Sequence, residues 1–426
     1  MPVDYQEFAA ADVDRIRSRF PALNSGTVFF DNPGGTQVPL EVIGRMSEYL
    51  QHSNANHGGH FPTSQRSDRI LAEAHQAAAD FLNAASPREV IFGNNMTTLT
   101  LALSRSLAQW INRGDEIIVT RLDHDANVAP WLLLAEERQA KIKWLDVNEH
   151  DCTLKMDEFQ ALLSPRTRLV AVGYASNAVG TINPLRRIIE QTRSSGALLF
   201  VDAVHYAAHG SIDVQELDCD FLACSAYKFF GPHVGLLYGK LELLERLPAY
   251  KVRPAGDHAP DKFETGTQNH EGLAGFLGVI EYLEWLGLTM GWIDQVGRGR
   301  QGSSRSERLH QTMRALASHE RQLSVYLIDR LRQIRGVKIW GITDPRCMGE
   351  RVPTVSFTRI GFHPERIATA LGEQDINVWS GHYYAVEIMR RLGVLDSGGM
   401  VRIGLTHYNT PAEVDHLVDA LQAMRK

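Results

Sequence analysis

Leu222-Ala223-Cys224-Ser225-Ala226-Tyr227-Lys228-Phe229-Phe230-Gly231-Pro232 is the stretch on which the fold turns. Its apolar run reads as a buried strand ending at Ser225, a lysine follows three residues later, and Gly231-Pro232 closes the segment. Burial penalises an ammonium, so a lysine at a buried strand end is neutral, hydrogen-bonded, or snorkelling out to water. A neutral amine there has a chemical use, the Schiff base with a carbonyl. Upstream, Ala197-Leu198-Leu199-Phe200-Val201-Asp202-Ala203-Val204-His205 is a second apolar strand, and it ends in a carboxylate. Asp202 can cap the next helix. It can also hold a proton on a heteroaromatic nitrogen.

A strand-end aspartate, one further strand, then a strand-end lysine is the arrangement that pyridoxal phosphate chemistry needs. The amine attaches the cofactor, and the anion keeps its ring nitrogen protonated and electron-withdrawing. Around this pair the chain alternates strand and helix, the signature of a mostly parallel α/β sheet with ligand loops at the carboxyl ends of its strands.

The bulk properties suit an enzyme of this kind. With 426 residues the chain buries a full core and has room for two or three domains. A formal charge of -6 argues against a nucleic-acid or membrane-surface role. No apolar run approaches the roughly 20 residues of a membrane span. The polar, acidic start Met1-Pro2-Val3-Asp4-Tyr5-Gln6-Glu7 is unlike a secretory signal. Cys152, Cys219, Cys224 and Cys347 show no Cys-x-x-Cys spacing, which fits a reducing cytoplasm.

In chain order, residues 5–20 carry helical spacing that Pro21 ends, and Thr27–Asp31 reads as a short strand entering the turn Pro33-Gly34-Gly35. Asn54–His60 is a polar, glycine-bearing loop; His57 and His60 lack a third ligand at metal spacing. A helix is expected from about Ser67 to Leu82. Then Glu89–Phe92 is a strand, followed by Gly93-Asn94-Asn95-Met96-Thr97-Thr98 and a helix. Free N–H groups at that helix start make the Asn95-Met96-Thr97 corner a candidate phosphate site, with helix capping the alternative. Further helices are expected from Gly272 to Leu286 and from Arg305 to Arg335. Arg402, in Met400-Val401-Arg402-Ile403-Gly404-Leu405-Thr406-His407-Tyr408-Asn409-Thr410, offers the fork that binds a carboxylate bidentately.

Taken together these motifs resemble the class V branch of fold-type I pyridoxal-phosphate enzymes, and most closely the cysteine desulfurase-like proteins. The resemblance runs from Phe30-Asp31-Asn32-Pro33-Gly34-Gly35 to Tyr408-Asn409-Thr410. It implies a large domain (26–288) on a mostly parallel seven-stranded sheet and a smaller α/β C-terminal domain (289–426). Residues 1–25 would pack on the latter. Asp123-His124-Asp125-Ala126-Asn127-Val128-Ala129-Pro130-Trp131 is similar to the family's His-x-Ala-Asn-x-x-Pro-Trp and implies that His124 stacks on the cofactor ring. Ala175-Ser176-Asn177-Ala178-Val179-Gly180-Thr181-Ile182-Asn183-Pro184 is similar to Ser-Asn-x-x-Gly-x-x-x-Pro. It implies that Asn177 meets the phenolic oxygen or the substrate carboxylate; otherwise Asn177 is a turn residue bonding its own backbone. The resemblance further implies Ser225 as a phosphate-binding hydroxyl, Lys228 as Schiff-base lysine and acid/base, and Arg402 on the substrate carboxylate. Glu264-Thr265-Gly266-Thr267-Gln268-Asn269 implies a homodimer with shared sites, Thr267 reaching the neighbouring subunit's phosphate.

The departures carry information. Asn94-Asn95-Met96 stands where the family has Gly-Thr-Thr, His205 where it has glutamine, and Tyr227 where a histidine precedes the lysine. Val378-Trp379-Ser380-Gly381-His382-Tyr383-Tyr384-Ala385 aligns with the loop that carries the family's sulfur-accepting cysteine, which puts His382 and Tyr384 beside the substrate. Tyr384 falls at the thiol's place, Trp379 replaces an arginine, and a phenol cannot accept sulfane sulfur. The expectation is therefore a pyridoxal-phosphate-dependent C–S lyase without the persulfide cysteine. The alternatives are an aminotransferase or epimerase of the same branch, or a silent cofactor-binding paralogue.

Overall fold

The computed structural model describes residues 10–293 and 303–425. Thirteen strands are described, in chain order β1 (Val28–Phe29), β2 (Val90–Gly93), β3 (Glu116–Thr120), β4 (Lys141–Leu145), β5 (Thr167–Gly173), β6 (Leu198–Asp202), β7 (Phe221–Ser225), β8 (Gly235–Gly239), β9 (Val337–Trp340), β10 (Thr354–Arg359), β11 (Ile376–Asn377), β12 (Trp379–Gly381) and β13 (Met400–Gly404). Seven of them form one sheet in the order β2-β8-β7-β6-β5-β3-β4. Its β7-β6, β6-β5, β5-β3 and β3-β4 pairings are parallel, and only β8 runs against its neighbours. Strands β3 and β7, with apolar centres at Ile117-Ile118-Val119 and Phe221-Leu222-Ala223-Cys224, are buried along their whole length, as strands covered on both faces must be.

A four-stranded antiparallel sheet, β12-β13-β10-β9, forms the smaller C-terminal unit. The short β1 pairs with β11, and Asp31 bridges Gly404. Val28 and Phe30 accordingly sit in the apolar cluster of that unit, with Leu327, Val355 and Ile403. The turn Pro33-Gly34-Gly35 thus leaves the small unit and enters the large one.

Helix α1 (Ala10–Arg17) is described, and the expected helical residues before it lie outside the described residues. Arg17 Nη1 donates to Tyr408 O at 2.6 Å and to Glu413 at 2.8 Å, while Phe20 packs on Phe230, Tyr282, His407 and Tyr408. Helix α2 spans Leu40–His52. Helix α3 runs from Pro62 to Leu82, starting ahead of the expected Ser67 because a proline at the first position needs no N–H partner there. Helix α4 (Met96–Leu107) follows β2. The helix His270–Thr289 is longer than its apolar period suggests, because Asn269 Oδ1 accepts from Gly272 N at 2.8 Å and caps it. The long helix ends at Arg332, ahead of the expected Arg335 and of left-handed Gly336.

Candidate active site

The carboxyl ends of β5, β6 and β7, at Gly173, Asp202 and Ser225, form the floor of the site. Ser225 Oγ accepts from Met96 N at 2.9 Å, which ties β7 to the first turn of α4 and leaves the hydroxyl proton free to donate. Asn95 Oδ1 caps α4 by accepting from Thr98 N at 2.9 Å, and Thr97 stands exposed in the opening turn. Met96 contributes by orienting Ser225, since its side chain is buried in the core beneath.

Lys228 closes the 3-10 turn after β7. Its Nζ donates to Pro33 O at 2.5 Å and Gly34 O at 3.0 Å, and lies 4.9 Å from the Tyr227 ring centroid. Burial, reinforced by the Arg402 charge, brings the amine down to about 7, with Asp202 pulling the other way. Asp202 accepts from Val204 N at 2.9 Å; burial lifts its carboxyl to about 6 against that bond and the Lys228 charge. The amine and the carboxylate therefore sense each other's charge.

His124 ends the loop after β3, and its Nδ1 accepts from Ala126 N at 3.0 Å. Burial, Lys228 and Arg402 hold it down at about 4, so the imidazole is a neutral flat plate. His205 is buried, bonded to Thr354 Oγ1 at 2.8 Å, and kept well below the ordinary histidine range by burial and by His209. Tyr227 turns its ring onto His233, with centroids 5.1 Å apart.

The small unit supplies the other wall. Arg402 is buried and donates through Nη1 to Asn177 O at 2.8 Å, with its guanidinium 4.2 Å from the Tyr383 ring centroid. Asn177 Nδ2 donates to Tyr383 O at 2.9 Å. Tyr383 and Tyr384 are consecutive left-handed residues, at φ 52° and 59°, a conformation costing such side chains about 1–2 kcal/mol each. They are held there by Asn177, by Asp125 N donating to Tyr384 O at 2.7 Å, by Tyr384 N donating to His382 Nδ1 at 3.1 Å, and by a bond from Tyr383 to Met400 O. The Tyr384 ring lies against His124, centroids 5.5 Å apart and planes 24° off parallel.

Lys228, Asp202, His124, His205, Asn177, Arg402, Tyr227, Ser225, His382 and Tyr384 thus gather at one junction. Thr267 is exposed, on a segment anchored by Glu264, which accepts from Phe92 N at 2.7 Å and pairs with His75. Among the described residues no bond joins Thr267 to that cluster. Sequence reasoning gave no role to Asp123, whose carboxyl accepts from Gly173 N and Asn127 Nδ2, each at 2.9 Å. Burial and the Asp202 charge push it up to about 8. Asp123 stands three residues past the end of β3, next to His124, with no pattern of its own to mark it. The Pro33 and Gly34 carbonyls were visible as a turn, but their lysine partner was not. Among the described residues no group of three His, Cys, Asp or Glu side chains could hold a metal.

Two polar atoms of this cluster, Asn177 Oδ1 and Arg402 Nε, are buried without a hydrogen-bond partner. Buried polar atoms left so are costly, and a ligand carrying donors and a carboxylate would satisfy them. With a neutral plate, a depressed amine, a strand-end carboxylate and a helix start brought together at one junction, the residues fit pyridoxal 5′-phosphate and an amino acid.

Comparison with known proteins agrees. The family described as Aminotransferase class-V matches residues 28–292 and 308–417. A cysteine desulfurase of Synechococcus elongatus is 34% identical over 433 residues, spanning 97% of this chain and 64% of the relative. This chain therefore covers under two thirds of that relative's length. The aminotransferase-like protein FGM3 of Gibberella zeae is 34% identical over 419 residues, 96% of this chain and 98% of the relative. The apo structure of a cysteine desulfurase from Thermococcus onnurineus superimposes with a TM-score of 0.84 at 26% identity, covering 96% of this chain and 97% of that one.

Proposed function

This chain belongs to the class V aminotransferase family of pyridoxal-phosphate enzymes, and from that membership we propose a C–S lyase acting on a sulfur amino acid without a persulfide-carrying cysteine. The observation that carries the reading is Tyr384, seated against His124 on the loop aligned with the sulfur-accepting one. Cys152, Cys219 and Cys224 are buried, and burial pushes their thiols up, so they favour the unreactive protonated form. Cys347 lies on the 3-10 stretch Pro345–Glu350.

The cofactor, when bound, supplies an electron sink for the carbanion formed at the amino acid's Cα. Asp202 holds the proton on its ring nitrogen, and His124 covers the ring face. Ser225 and the first turn of α4, at Thr97, hold the phosphate. His205 and Tyr227 flank the ring. Arg402 and Asn177 fix the substrate carboxylate, which sets the Cα–H bond toward Lys228. The Lys228 amine, neutral above about pH 7, takes the Cα proton. The C–S bond then breaks, sulfur leaves with its electron pair and is protonated as a free thiol. Water releases ammonia from the remaining fragment to give pyruvate.

The exposed row Leu40, Ile43 and Leu50 along α2 supports a homodimer in which Thr267 serves the partner's phosphate. A cytoplasmic setting and the absence of nucleic-acid or membrane partners complete the proposal. No described helix is long and apolar enough to cross a membrane.

The test is incubation with cysteine, cystine and cysteine conjugates, assaying thiol or sulfide, pyruvate, alanine and keto acids. Thiol with pyruvate is expected. Alanine with a protein persulfide would overturn the role given to Tyr384, and keto acid or racemised substrate without thiol would mark an aminotransferase or epimerase.

A further inference from the structure

We propose that the substrate's side chain ends in a flat aromatic group, gripped at the mouth of the site between Trp379 and Tyr384. This rests on the reading that Arg402 takes the substrate carboxylate, and it names the class of amino acid that the site selects. Trp379 is the direct cross-strand partner of Arg402 in the β12–β13 pairing, so the two side chains emerge side by side on one face. The indole is fixed: Nε1 donates to Asp31 O at 3.2 Å, and the ring covers Gly34 so closely that a Cβ there would lie 2.2 Å from Nε1. Gly34 O is itself a partner of Lys228, which puts the indole one residue from the reacting amine.

Tyr384 lies against His124, which feels the charges of both Lys228 and Arg402. Trp379 is 48% exposed and Tyr384 67%, so neither ring adds to the core. A left-handed backbone held by four hydrogen-bonding neighbours to keep an exposed ring in place is the kind of strain that marks a ligand clamp. Residues 378–385 contain no Asp, Glu, Lys or Arg, and His382 is their one titratable group besides the two phenols. Of the nearby acids, Glu387 is held by Arg121 and Arg390, and Asp31 is half-buried within reach of the Arg402 charge. A flat π-face therefore finds stacking partners here, whereas a charged side chain finds no fixed counter-charge on residues 378–385.

The experiment titrates the cofactor-loaded enzyme with L-phenylalanine, L-alanine, L-aspartate and L-lysine, reading binding from the cofactor's absorbance. In parallel, thiol release is followed from S-benzyl- and S-methyl-L-cysteine. Phenylalanine is expected to bind at least about tenfold more tightly than the other three. Tyr384→Ala and Trp379→Ala should each cut that ratio below about threefold, and Trp379→Phe should retain it. If Trp379→Ala does not fold, the exposed Tyr384→Ala decides. Equal binding of phenylalanine and alanine, tighter aspartate or lysine, or a ratio unchanged in Tyr384→Ala would overturn the proposal. Preference for phenylalanine without thiol release would leave it standing and sink the lyase reading. Equal thiol release from the two conjugates would do the reverse.

Discussion

The floor and the roof of this site are built by opposite strategies. The floor, at the ends of β5, β6 and β7, is regular: each strand is buried along nearly its full length, and Asp202, Ser225 and Lys228 stand where those strands stop. The roof, His382 to Tyr384, is irregular, with two left-handed tyrosines pinned by hydrogen bonds from Asn177 and Asp125. The cofactor chemistry proposed above rests on the part that packing dictates. The proposed departure from persulfide chemistry rests on the part held against local preference.

Four measurements bear on that contrast. The largest effect is expected from Lys228→Ala, which should abolish the coloured covalent attachment of the cofactor and slow turnover by at least about 10³-fold. A colourless wild-type protein after reconstitution would break the assignment of the floor. Arg402→Ala comes next: losing a charge-assisted fork should weaken amino-acid binding about 10- to 100-fold while cofactor affinity holds. Equal loss of both, by spectral titration, would remove its carboxylate role.

A pH series gives a third. The Lys228 amine lies near 7, and only its neutral form attacks an aldehyde. The neutral fraction therefore rises from about 0.1 at pH 6 to about 0.9 at pH 8, and cofactor attachment to the apoenzyme should speed up roughly tenfold and then level off. A rate still climbing steeply toward pH 10 would show an amine left at its ordinary value. The smallest effect belongs to Gly34→Ala, whose added methyl meets Trp379. Displacing that half-exposed indole should cost about 1–2 kcal/mol and loosen substrate binding only a few-fold, measured by thermal melting and titration.

The legibility of the sequence follows the same division. A mostly parallel sheet was readable from the alternation of strand and helix, its seven strands and the small C-terminal unit came only with the family resemblance, and the strand order was left for the structure to give. The tie between Lys228 and the Pro33 and Gly34 carbonyls was not readable, because it joins segments almost two hundred residues apart. Nor was the pinning of the roof: no pattern in Tyr383-Tyr384 announces a left-handed backbone, which arises from partners on other elements. Asp123 stayed silent since a lone carboxylate beside a histidine carries no periodic signal.

The pairing of β1 with β11 also bears on the order of biosynthesis. Val28 and Phe29 find their partners at Ile376 and Asn377, and Asp31 finds its own at Gly404. A nascent chain leaving the ribosome therefore carries its lysine and aspartate long before the clasp around them can close, and the early segment waits for nearly the entire polypeptide. A product stopped short of residue 376 would keep both reactive groups and still lack the enclosure that makes them useful.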